Sequence, residues 1–397
     1  MLLTFLILVG TVLLVSYGSR VKFLSPLFRI TPVPFWCYFL PMIFGAVGFL
    51  TRESPIYPIL SKQLLPICLV FLLIGTDLRS LVKMGKIALI AMLTGTVGIL
   101  AGAWMTFALF GRWLPENSWM GFGALSASWI GGSMNMLAVK ESIGVPDSIF
   151  APLVIVDAFL SYSWMGILIA ASGWQEKWDQ GMEFKGNVDF LRSRGAINCA
   201  PTKKSRPSLF SLLSTGFVGP AMTILLFLII AIFISLSCQW LGSKMPAVGG
   251  LFTPYTWTVL LVTTSSLLLS LTPLSRFTND KTTKFGYFLL FLLLTSIGAR
   301  VDISAIAKAP LFLVAGIVWI LIHAAILLAA GRFFKIPLFF LATASQANIG
   351  GPASAPIVAA VYQPQLASVG LLMAILGNVM GTYLGLVSAW VCRWVVR

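Results

Sequence analysis

Charge is what this chain has least of. Charged side chains make up 10% of its 397 residues, against 58% hydrophobic residues and a mean hydropathy of +0.95. That composition cannot cover the surface of a soluble globule, so lipid must solvate much of the chain. Histidine occurs once, as His323, which excludes two-histidine metal sites such as HExxH. The five cysteines (Cys37, Cys68, Cys199, Cys238 and Cys392) are odd in number, scattered and free of any CxxC, so neither a disulfide framework nor a zinc site is indicated. A Walker lysine loop and a large hydrophilic domain are both missing, which sets aside ATP-driven pumping by this chain alone. Residues 1–19 lack a basic n-region and a small-residue cleavage site, so this apolar start is expected to remain as a span. Net charge is +15, yet no basic stripe with interleaved aromatics lies on a polar surface. Positive loops facing an anionic leaflet explain the excess, and no nucleic-acid partner is expected.

Apolar windows of about 20 residues cross the hydrocarbon. They fall near 2–18, 34–50, 60–77, 86–111, 119–140 and 149–173, then near 209–238, 248–272, 285–299, 309–331, 338–360 and 366–392. The chain thus reads as two transmembrane halves, 1–173 and 208–397, joined by a hydrophilic linker at 174–207 with seven Lys/Arg and four Asp/Glu. With every window crossing, the termini and the loops on their side, linker included, carry 17 of the 27 positive residues. Both termini and the linker are therefore expected in the cytoplasm, with the chain in a bacterial inner membrane.

Two polar, glycine-rich strings interrupt the apolar sequence 219 residues apart. The first is Ser126-Ala-Ser128-Trp-Ile-Gly131-Gly132-Ser133-Met-Asn135, and the second Ser345-Gln346-Ala-Asn348-Ile-Gly350-Gly351-Pro352-Ala-Ser354. Glycine pairs and proline cost a helix roughly 1 and 3 kcal/mol per residue against alanine. Backbone freed inside a membrane survives only where protein or a wet cavity covers it, and paired breaks in two halves point to a transporter's binding site. Two further matches keep the same order. Ile74-Gly75-Thr-Asp77-Leu-Arg79 aligns with Ile297-Gly298-Ala-Arg300-Val-Asp302, and Asp157-x-x-x-Ser161-Tyr162 with Asn378-x-x-x-Thr382-Tyr383. The halves are a duplication. Inversion needs an odd number of spans between equivalents, whereas the windows give six, so either the repeats are parallel or one span is miscounted, most readily in 208–273.

These strings resemble the YjcL-like family of integral membrane proteins (domain of unknown function 819), over most of the chain. That family is similar to the superfamily of cation–proton antiporters and bile-acid sodium symporters. The resemblance implies an all-α polytopic protein with panel and core domains, and inverted repeats whose discontinuous helices cross at mid-membrane. It implies no substrate. In that superfamily's antiporters the essential acid follows the first crossover, where Asp157 stands, but their acidic pair is here Val156-Asp157.

The candidate ion- or substrate-binding residues are Ser126, Ser128, Gly131, Gly132, Ser133, Asn135, Asp157, Ser345, Gln346, Asn348, Gly350, Gly351, Ser354 and Asn378. Most carry uncharged oxygens, which suit a hard monovalent cation or the polar head of a small solute. Helix–helix hydrogen bonding is the bland alternative for each. Asp157, alone among apolar residues from Ala151 to Phe159, would cost roughly 2.5–3.5 kcal/mol at mid-membrane and is expected to carry a coupling ion. His323 is a second candidate for proton coupling, or a buried histidine bonded to a carbonyl. Asp77, Arg79, Arg300 and Asp302 are expected to pair at helix ends, and Lys140 and Glu141 to lie at the interface. An enzyme would want a nucleophile with a base, and Ser161 one turn from Asp157 lacks a histidine in its span, so no enzymatic role is expected. The expectation is a secondary transporter for an amino acid or carboxylate, driven by Na+ or H+, with monovalent cation–proton antiport as the alternative and a non-transport membrane role as a third. No cofactor is expected beyond the coupling ion. The partners are the bilayer and the transported species, with homodimerisation left open.

Overall fold

The computed structural model describes residues 1–24, 27–28, 31, 33–180, 220–248, 252–301, 304 and 309–395. Within them the protein is helical, without a β-strand. In chain order the helices are α1 (Leu2–Gly18), α2 (Val33–Ala46), α3 (Ile56–Ile74), α4 (Lys86–Phe110), α5 (Ser118–Gly131), α6 (Ser133–Ile143), α7 (Asp147–Ala170) and the short α8 (Gln175–Asp179). The second half holds α9 (Pro220–Lys244), α10 (Pro254–Ser270), α11 (Asp280–Gly298), α12 (Ala309–Phe333), α13 (Leu338–Ile349), α14 (Gly351–Tyr362) and α15 (Ala367–Val395). Every apolar window from the sequence carries a helix. Six helices are long and apolar enough to cross a membrane, whereas α13 and α14, at 12 residues each, reach only about 18 Å. The described part of 208–273 forms two helices, α9 and α10. The linker opens with the α8 turn, and its remainder, with Cys199, lies outside the described residues, as does Asp302.

The helices cluster into two units, each drawing on both sequence halves. The first comprises Met1–Thr76, Lys140–Ala158 and the described part of 206–310. Its core joins Leu8 and Val12 of α1 to Tyr57 and Leu60 of α3 and Leu292 of α11. Helices α3 and α11 run antiparallel. Gly75 meets Thr278, the Phe71 ring meets Phe285 at 5.1 Å, and the Cys68 thiol lies 3.5 Å from the Gly286 carbonyl. A π-turn at Leu60–Leu64 widens α3, and the Tyr255 hydroxyl donates to the Ser61 carbonyl there at 3.0 Å.

The second unit comprises Asp77–Val139, the described part of 159–205, and 311–395. Contacts fix the direction of each pair. Gly95 and Gly98 of α4 meet His323 of α12, while Ile99 and Gly102 meet Trp319, so α4 and α12 are antiparallel. Helix α13 returns along α12, with Gly331 against Leu341 and His323 bonded to Ser345. Helices α5 and α15 are antiparallel along a seam of small residues. Gly123 and Ala127 face Ala389 and Gly385, and Gly131 faces Gly377 and Gly381. Such residues at every fourth position let helix backbones close without a driving force from water. Finally, α7 and α8 run antiparallel to α13. The Ser161 hydroxyl donates to the Ile349 carbonyl (3.1 Å), the Trp164 indole to Ser345 Oγ (2.8 Å) and the Trp178 indole to the Ile336 carbonyl (3.1 Å).

Those contacts decide what the second Gly-Gly break does. A helix continuing from α13 would carry Tyr362 about 20 Å past Ile349. Instead the Tyr362 hydroxyl donates at 2.7 Å to the carbonyl of Leu168, which lies on α7 between Trp164 and Trp178, beside the first half of α13. Tyr362 and Leu366 also share one apolar cluster with Leu338, Phe339 and Phe340. The chain folds back. Gly350 (φ −108°) and Gly351 (φ +66°) form the tip of an α13–α14 hairpin, and positive φ at Gly351 is where only glycine is unstrained. The expected continuation of a broken helix across this point is replaced by a reversal.

Candidate functional site

The first break lies at Gly132, with φ +82°, between α5 and α6. Its neighbourhood is built from one asparagine. The Asn135 side chain, 1% exposed, donates from Nδ2 to the carbonyls of Gly131 (2.6 Å) and Asn378 (3.2 Å) and accepts from the Thr382 hydroxyl. Asn135 therefore closes the end of α5 onto α15. Ser126 donates to the Phe122 carbonyl at 2.8 Å and pairs with Ser388 at 2.7 Å, also on this seam, while Ser128 is buried. What stays open here is the tip itself. Ser133 and Asn378 are half-buried, and a methyl group placed on Gly132 would meet only Asn378 Oδ1, at 3.8 Å.

The second tip is enclosed by four helices. Asn348 accepts from the Thr96 hydroxyl and donates to the Ala344 carbonyl, both at 3.0 Å, with its side chain wholly buried. His323 bonds the Gly95 carbonyl through Nδ1 (3.0 Å) and Ser345 Oγ through Nε2 (2.9 Å). A carbonyl only accepts, so Nδ1 carries the proton. Ser345 Oγ accepts from Trp164 and bonds Nε2, so both ring nitrogens are engaged. Of the two sequence readings of His323, the buried, carbonyl-bonded one matches this geometry. Gln346 differs from its neighbours. Its Nε2 donates to Ser354 Oγ at 2.8 Å, but its Oε1, buried at 1% residue exposure, has no hydrogen-bond partner among the described residues. Thr343 Oγ1, one turn earlier on α13, is likewise buried and unpartnered. A methyl group on Gly351 would touch nothing within 4 Å.

Asp157 is half-buried on α7, four residues before Ser161 and on the same helix face. The charges that are most buried lie elsewhere. In the first unit Lys140, its side chain 5% exposed, bonds Glu141 at 2.8 Å and Asp147 at 3.0 Å, and Arg300 approaches the same two acids at 3.8 and 3.4 Å. Lys140 is buried and Glu141 partly buried in this four-membered network. Asp77 accepts from the Ser80 amide at 3.1 Å and caps a short 3-10 turn. Sequence reasoning missed Thr96, Trp164, Asp147 and the Gly377-x-x-x-Gly381-x-x-x-Gly385 seam. Only the seam carried a signal, its spacing of four.

Comparison with known proteins fits this picture of a helical membrane protein. Residues 4–394 match the family described as "Protein of unknown function (DUF819)". The chain belongs to that family. A relative from Bacillus subtilis (strain 168), described as "Uncharacterized membrane protein YjcL", is 29% identical over 357 residues, covering 87% of this chain and 86% of that protein. The match bears out the family resemblance carried by the two Gly-Gly strings. With six long apolar helices, this DUF819 member is an integral membrane protein.

Proposed function

We propose that this protein is a secondary active transporter, moving a small organic solute such as an amino acid or carboxylate by alternating access, coupled to Na+ or H+. The observation that carries this reading is the pair of glycine tips, at positions the two matching strings share and packed within one unit, each flanked by uncharged amide and hydroxyl side chains. Unpaired backbone at such a tip is tolerated in a membrane only where it lines a cavity. The halves 1–173 and 208–397 are then the two repeats, the second unit is the core and the first the panel.

Helix directions favour inverted repeats. The equivalents α3 and α11 are antiparallel, as are α4 and α12. Helix α4 also runs against α5, where Phe107 meets Phe122 at 5.0 Å. Since α12 opposes both α4 and α13, and α7 opposes α13, helix α7 runs the same way as α5. The 11-residue α6 between them must run back, so the first break is a hairpin like the second. With α1, α2, α10 and α11 counted as spans beside the six long apolar helices, two re-entrant hairpins that do not cross leave ten crossings, and an offset of five between equivalents, which is odd. The parity conflict in the sequence then disappears without any span in 208–273 being added.

The same count moves the termini. With ten crossings the linker lies opposite both ends of the chain. The linker side, including the loops before α2, α4 and α11 and the α12–α13 turn, holds 18 Lys/Arg, and the side of the termini 8, with Lys62 inside α3. That bias is steeper than the one with every window crossing and keeps the linker cytoplasmic while placing the termini outside.

Purified protein in liposomes, given a sodium or proton gradient and a labelled panel of amino acids and carboxylates, should accumulate one class of solute. Gradient-dependent quenching of an internal pH dye by NaCl alone would favour cation–proton antiport through Asp157. Neither response across the panel would remove the transporter reading.

A further inference from the structure

Most polar side chains around the two tips are occupied by the protein. Asn135, Asn348, His323, Ser126 and Ser345 each have partners, which makes them struts. The exceptions cluster on one face of α13, where Gln346 Oε1 and Thr343 Oγ1 are both buried and both without a partner. Gln346 is aimed at the hairpin tip. A methyl group on Gly350 would collide with its Nε2 and with Ser354 Oγ, so the amide lies directly over the Gly350 backbone.

The chemistry of that spot is one-sided. A carbonyl-type oxygen stands near the C-terminal end of α13, the end of a helix that carries partial negative charge. The opposing α14 begins Gly351-Pro352, and proline has no N–H, so its first turn is short of the donors that would welcome an anion. The first tip continues Gly132-Ser133 and keeps its donors there. Neutral oxygens without a carboxylate suit a monovalent cation, because a divalent one demands anionic ligands. An orphaned buried acceptor costs about 1–3 kcal/mol, which a bound cation would recover.

We infer that Gln346 Oε1, with the last turn of α13, is the coupling-cation subsite and takes dehydrated Na+. This rests on the transporter reading and assigns the ion to the second tip, leaving the first for the solute.

The test uses the whole protein purified in detergent, with thermal unfolding followed in NaCl against choline chloride at equal ionic strength. Binding to the folded state raises the midpoint by mass action. Wild type should be stabilised by Na+, as should Thr264→Ala, a substitution on α10. Gln346→Leu should weaken the apparent Na+ affinity about tenfold or more, equivalent to about 1.4 kcal/mol. Gln346→Glu should tighten it at high pH and make it fall with acidification, and this variant carries the test if the leucine variant does not fold. Unchanged Na+ response in folded Gln346→Leu, or in Gln346→Glu, overturns the assignment. So does a wild type that Na+ fails to stabilise beyond choline. Solute uptake that is proton-driven and indifferent to Na+ sinks the subsite and keeps the transporter, whereas Na+ binding with no uptake of any solute keeps the subsite and sinks the transporter.

Discussion

Gly381→Ala tests whether the first tip is held by close approach of α15. A Cβ at position 381 would stand 2.8 Å from both Cγ and Nδ2 of Asn135 and 2.9 Å from the Gly131 Cα. Ordinary carbon contacts begin at about 3.5 Å, so the seam must open by roughly 0.7 Å or the asparagine must leave. Overpacking of that size costs about 1–3 kcal/mol. Asn135→Ala alone removes the donor to the Gly131 and Asn378 carbonyls and the acceptor of the Thr382 hydroxyl, for about 1–3 kcal/mol of unsatisfied buried groups. Part of the Gly381→Ala penalty is a collision with the side chain that Asn135→Ala deletes. The double variant should therefore lose less than the sum of the single losses, by at least about 0.5 kcal/mol, as expected for residues in contact. The readout is denaturation in detergent followed by tryptophan fluorescence, with folded yield as a check on insertion. Strictly additive losses would show that Asn135 does not meet α15 at Gly381, and the account of the first tip would fail with it.

Lys140→Ala should destabilise the protein by about 1–3 kcal/mol, because it removes the closer of two cations and leaves Glu141 and Asp147 to Arg300 alone, and a loss under about 0.5 kcal/mol in the same assay would show the network to be solvated. For topology, native Cys199 lies in the linker while the four described cysteines are buried, so a membrane-impermeant maleimide should reach wild type only from the cytoplasmic side. Val395→Cys should add labelling from outside intact cells, and labelling of both positions from one side would contradict two re-entrant hairpins. Asp157→Asn should leave the protein folded yet abolish gradient-driven accumulation, and normal transport with unchanged pH and sodium dependence would reduce Asp157 to a structural role.

The Gly-Gly tips were legible in the sequence because they rest on local chemistry. Gly-Gly followed by serine or proline is hostile to a continuous helix wherever it occurs, and apolar windows locate helices with few competing readings. What happens after a break was not legible. A kinked crossing and a reversal require the same glycines, and the choice was made by distant partners such as the Leu168 carbonyl for Tyr362, which no local pattern announces. The same limit applies to the site. Eight hydroxyl and amide side chains beside the breaks read alike as oxygen ligands, yet whether each is a ligand or a strut depends on what stands opposite it. Thr382 and Asn378 claim Asn135, Thr96 claims Asn348, and the indole of Trp164 with His323 claims Ser345. No described residue claims the oxygen of Gln346. Sequence composition can therefore nominate a polar cluster in a membrane, but telling a ligand from a strut needs the hydrogen-bonding capacity that the fold leaves unspent, which no local pattern states.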